Sequence, residues 1–147
     1  MRPSRRWADD EGSASLEFLT VGMLLLVPLV YLVIAVSVIQ AAAFAVEGAV
    51  RQAARVFVQA PDAAAAEASA QRALQFALAD YDITVPATLS VTCTKDPCLT
   101  RQEFVTVSVD VSVPLPLVPP AIVGSFPLAV PLHATATEQV SRFWGSR

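Results

Sequence analysis

The chain is poor in the residues from which catalytic and metal centres are built. Its 147 residues include one histidine and two cysteines. No Gly-rich phosphate loop, nucleophile–base pair or ligand cluster accompanies them, so the composition points away from an enzyme. A metal site would want about four ligands, and beyond Cys93 and Cys98 only His133 is a typical further one. No metal, cofactor or small-molecule substrate is therefore expected. Charge is scarce too: charged residues make up 16%, and a net charge of −3 favours no nucleic-acid partner. One modest domain is what this length allows, and less once a membrane segment is set aside.

Apolar residues fill the space that charge leaves. They form 54% of the chain, concentrated in the first forty residues and in Ala-rich stretches. Residues 18–39 carry no charge, and about twenty such residues span a hydrocarbon core of ~30 Å. Thr20, Gly22, Pro28 and Ser37 interrupt the run mildly, which membrane helices tolerate. Pro28 removes one amide donor and predicts a kink. Arg2, Arg5 and Arg6 flank the amino end, whereas the first basic residue beyond the other end is Arg51. The positive-inside rule then predicts a cytoplasmic amino terminus with the bulk of the chain outside. A secretory signal cut near Ala41-Ala42-Ala43 is the competing reading, but signal h-regions are about 7–15 residues long and this run is longer. A plain membrane anchor accounts for the run by itself.

Such an anchor does not account for Glu17. A carboxylate at the mouth of a membrane-length helix is costly unless it acquires a partner. It sits five residues after Gly12, in the string Asp-Asp-Glu-Gly-Ser-Ala-Ser-Leu-Glu-Phe, and directly before the apolar run. This layout resembles the processing site of type IV prepilins, and more closely the TadE-like proteins of tight-adherence pilus systems. The resemblance covers about the first third of the chain: Gly12 with the small residues and Glu17-Phe18, the apolar helix, and the Ala/Arg-rich segment 41–55 that ends in Arg51-Gln52-Ala53-Ala54-Arg55. Ser13 stands where ordinary type IV pilins have phenylalanine, and Pro28 stands further from Glu17 than the proline usual in TadE-like proteins.

The resemblance implies that a prepilin peptidase cuts between Gly12 and Ser13, and that Glu17 becomes the fifth residue of the mature chain. Arg2, Arg5 and Arg6 balance Asp9, Asp10 and Glu11, so the cut leaves the net charge at −3. Ser13 then carries an α-amine with a reference pKa of roughly 8, one helical turn from Glu17. A pair between neighbouring subunits would fix their axial register, because a mismatched subunit leaves its carboxylate unpaired. The simpler role for Glu17 is to favour the positive end of a helix dipole at the membrane surface.

Beyond residue 39 the helical pattern continues to Pro61. Val46, Val50, Ala53 and Phe57 follow one face, while Glu47, Arg51 and Arg55 line another, either solvated or in contact with neighbouring subunits. A helix over 16–60 would be ~65 Å long. Asp62 can cap a second helix, whose apolar stripe is Ala70, Leu74, Ala77, Leu78 and Tyr81. After Tyr81 the period changes to two. Leu89, Val91 and Cys93, then the odd-numbered valines from Val105 to Val113, then Leu128, Val130, Leu132, Ala134 and Ala136 predict three half-buried strands of an antiparallel sheet. The valine face is expected to pack on the second helix or on the outer half of the first. His133 falls on the solvent face of the third strand.

Cys93 and Cys98 enclose the turn-rich tetrapeptide Thr-Lys-Asp-Pro. In an exported domain a disulfide is the natural reading. Between Asp110 and Glu138 there is no acidic residue, Lys or Arg, and six prolines exclude a second membrane helix. Leu117, Val118, Ile122, Val123 and Phe126 in this crossover either form a docking surface or cover the sheet. Trp144 either anchors the tail or has no role.

The expected fold is α+β: a leader over 1–12, a transmembrane helix over 13–40, a helical stalk over 41–60, and an extracytoplasmic domain over 61–147 with a second helix and a small pilin-like sheet. The expected function is that of a minor pilin, a pseudopilin or a membrane-held assembly factor of a tight-adherence pilus or related secretion system. Its partners would be prepilin peptidase, other pilus subunits and the membrane, at the cytoplasmic membrane or on a cell-surface pilus. The alternative is an unprocessed single-pass membrane protein whose external domain binds a partner.

Overall fold

The structure is a computed structural model that describes residues 13–118 and 128–145. The fold is α+β: a long apolar helix, a second helix and a three-stranded antiparallel sheet. The chain divides after Val36 into two compact units. Helix α1 (Ser13–Gln59) begins in the first and continues into the second, unbroken at Pro28. Pro28 has no amide to offer the Leu24 carbonyl, one turn earlier. Within the first unit the large apolar side chains lie exposed, Phe18 at 78% and Leu24 at 70% among them. An exposed apolar surface of this length is unfavourable in water and favourable in lipid. By length and composition α1 can cross a membrane.

The second unit has an interior of its own. On α1, Ala42, Val46, Ala49, Val50, Ala53 and Phe57 recur at three- and four-residue steps, and all are buried. Many are alanines, which let neighbouring backbone approach closely. On the solvent side Arg51 donates to Glu47 at 2.8 Å across one turn, an exposed pair contributing a few tenths of a kcal/mol.

Helix α2 (Ala63–Ala79) starts at Asp62, whose carboxylate accepts from the Ala65 amide at 2.8 Å. Its buried stripe is Ala66, Ala70, Leu74 and Leu78. Tyr81 is a correction: expected on that stripe, it lies past the helix end and is 55% exposed. The backbone explains the difference. Asp82 takes φ 56°, and the Tyr81 and Ile83 amides both return to the Leu78 carbonyl. The chain turns off the helix axis, so Ile83 rather than Tyr81 packs against the core.

Strands β1 (Ala87–Cys93), β2 (Phe104–Pro114) and β3 (Ala129–Gln139) form the sheet in the order β1-β2-β3, both pairings antiparallel. Strand β2 is central, and Val105, Val107, Val109, Val111 and Val113 are all buried. Across the sheet Leu89, Val109 and Ala134 share a row, as do Val91, Val107 and Ala136. These valines join α1 and α2 residues in a single cluster. The other face carries Thr92, Thr106 and Thr137 in one row and Thr88, Asp110 and His133 in another. His133 Nδ1 lies 2.8 Å from Asp110 Oδ1, both exposed, as the alternation predicts.

Candidate functional site

The sequence singles out two places, one at each end of the argument from charge: the acidic residue beside the apolar run, and the cysteine loop of the folded unit. Gly12, the expected processing residue, lies outside the described residues. Ser13 is the first described residue of α1. Glu17 is on the same helix four residues later, hence one turn further along the axis.

Glu17 is exposed. It makes no ion pair with another described residue. Directly after it the helix is apolar, and the one hydroxyl in the next turn is satisfied internally: Thr20 donates to the Leu16 carbonyl at 2.7 Å. The arrangement is a single carboxylate set at the margin of the uncharged stretch 18–39 of α1. Chemically it can accept hydrogen bonds and attract a cation.

Cys93 and Cys98 are joined by a disulfide, with Cα atoms 5.2 Å apart. The bridge closes the loop that follows β1, and the neighbouring backbone is tied down as well. Thr94 donates to Glu103 Oε2 at 2.9 Å, and its amide bonds to the Phe104 carbonyl. Leu99, one residue past the bridge, is buried. No other cysteine is present. Among the described residues no group of three or more His, Cys, Asp and Glu is placed to hold a metal ion.

For three residues the structure supplies what the sequence left open or unmarked. Leu99 belongs to the core although it lies in a connection, and Val140 belongs to it one residue past β3, in phase with Leu132, Ala134 and Ala136. Trp144 does anchor the tail: its indole Nε1 donates to the Ala60 carbonyl at 2.8 Å, at the end of α1. Arg101 Nε in turn donates to the Trp144 carbonyl at 2.8 Å. Trp144 thereby links the carboxy-terminal segment, the end of α1 and the β1–β2 connection. Of the crossover residues weighed as a docking surface, Leu117 is 75% exposed and Val118 half-buried; Ile122, Val123 and Phe126 lie outside the described residues.

No protein-family model, curated protein or solved structure matches the chain.

Proposed function

We propose that the chain is a minor pilin, a pseudopilin or a membrane-held assembly factor of a tight-adherence, type IV-like pilus or related secretion system. In this reading residues 1–12 form a leader, a prepilin peptidase cuts between Gly12 and Ser13, and the apolar part of α1 holds the protein in the cytoplasmic membrane. The amino terminus faces the cytoplasm, and the folded unit lies outside. The observation that carries the reading is Glu17, an exposed carboxylate at the margin of a membrane-length apolar helix.

The physical case is one of cost. An ionised carboxylate drawn into the bilayer loses hydration, and an unpaired acid at mid-membrane costs about 3 kcal/mol on insertion scales. The α-amine created at Ser13 is a suitable cation one turn away. Within one chain such a pair relieves part of the desolvation cost. Between neighbouring chains it also selects one axial register. Processing and assembly are thereby coupled, because the cation does not exist at Ser13 until the leader is removed.

The test is co-expression with a prepilin peptidase and mass determination of the membrane-extracted chain. A bulky residue at Gly12 should block the cut and leave the full-length protein. If the chain with Gly12 intact stays uncut beside an active peptidase, the better reading is the single-pass protein with an external binding domain.

A further inference from the structure

The second unit contains a partly open, mainly apolar cavity of about 360 Å³, with Asp82 and Thr84 as the polar part of its lining. Its walls include Val38 and Ala42 of α1, Tyr81 and Ile83 of the α2–β1 turn, and Val113 and Pro114 of β2. Val38 belongs to the apolar run, which ends one residue later, so covalent continuity places this cavity where the chain leaves that run. The β2–β3 connection starts at the same place. Its base is closed by the Leu115 amide, which donates to the Leu128 carbonyl at 3.0 Å. Two residues on, Leu117 adopts φ 61° and is 75% exposed. Residues 111–137 contain no Asp, Glu, Lys or Arg.

We propose that this end of the folded unit, through Tyr81, Leu115 and Leu117, rests in the interfacial layer of the lipid bilayer. The proposal depends on the reading that residues 18–39 span a membrane. Lipid is the occupant because the exposed apolar surface of the run continues, along the chain and without an intervening charge, into the residues that line the cavity. Leu117 supplies an apolar side chain held outward by the turn. Tyr81 supplies the amphipathic ring that suits a headgroup boundary, apolar at one end and hydroxyl-bearing at the other. The acidic residues beside Tyr81 are Asp80 and Asp82, both exposed, the second at the rim of the cavity itself. Attraction to anionic headgroups therefore does not drive the contact, which is apolar and proceeds on neutral lipid. It gives the protein a shallow second point of membrane contact besides the spanning helix.

The experiment places an environment-sensitive fluorophore on one engineered cysteine at a time in the full chain: Leu117→Cys, Thr135→Cys or Val33→Cys. The native cysteines stay bonded to each other and do not react. Leu117 and Val33 are exposed, and Thr135 lies on the outward face of β3, so none of these replacements removes a core contact. Each labelled protein is reconstituted into phosphatidylcholine vesicles with and without lipids carrying a quencher near the headgroup or along the acyl chain. The expected result is quenching at 117 by the headgroup-level quencher, quenching at 33 by the acyl-chain quencher, and no loss at 135. Quenching at 33 but not at 117 overturns the proposal and leaves the spanning helix standing. Quenching at neither overturns both. A blue-shifted but unquenched probe at 117 means that protein, such as a second copy, covers this end, and overturns the proposal. Equal quenching at 117 and 135 overturns it as well, since the contact is then not confined to this end.

Discussion

The residues that support the folded unit act through single contacts, Glu17 is proposed to acquire one on assembly, and each gives a distinct expectation. Replacing Glu17 with alanine removes the costly group, so insertion becomes easier while the match to a neighbouring α-amine is lost. Glu17→Ala protein is expected to be exported and cut normally, to accumulate in the membrane, and to fail to co-purify with pilus or assembly subunits. Assembly at the wild-type level would reduce Glu17 to an interfacial residue. The disulfide is testable separately. Closing so short a loop stabilises by roughly 2 kcal/mol in the chain-entropy model, so a Cys93→Ser, Cys98→Ser double variant should melt at lower temperature by about that equivalent. Differential alkylation before and after reduction should find both native thiols blocked. At Trp144, phenylalanine keeps most of the apolar contact but cannot donate to the Ala60 carbonyl. A loss of about 1 kcal/mol is expected, read as a lowered melting temperature of the detergent-solubilised chain.

At the scale of elements, the regular parts were legible in the sequence because each has one dominant period and one buried face. Ala70, Leu74 and Leu78 of the expected α2 stripe, which the structure extends back to Ala66, and the two-residue recurrence of the β2 valines both appear as buried stripes. Asp62 caps α2 as its position before an Ala-rich segment predicts. Asp62→Ala should therefore cost about 1 kcal/mol, whereas Phe57→Ala, which empties a site only 2% exposed, should cost roughly 3–5 kcal/mol. Thermal melts followed by near-ultraviolet circular dichroism compare the two, and the order of the losses is the check. Tyr81 was misplaced because periodicity does not report where a helix stops. The left-handed turn at Asp82 ends the stripe, and no glycine marks that turn in the sequence. Leu99 was not legible as core, nor Trp144 as half-buried against it, for a related reason: isolated residues in connections are buried by tertiary contacts, which have no period.

For the whole molecule, the α+β layout joins a helix suited to lipid with a unit that has its own core. The candidate site was legible only in part. The carboxylate and the apolar run are sequence features, and the structure adds that Glu17 is exposed and lies on the same continuous helix as the run. The proposed export, cleavage and assembly would each involve other proteins, so a single chain's packing does not encode them. The processing reading turns on one covalent bond, the peptide between Gly12 and Ser13. Mass spectrometry of the intact protein, extracted from membranes of cells that contain the cognate prepilin peptidase, tests it directly. The expected result is a mature chain beginning at Ser13, with Glu17 as its fifth residue. A chain that retains Met1, or one cut near Ala43, would contradict it.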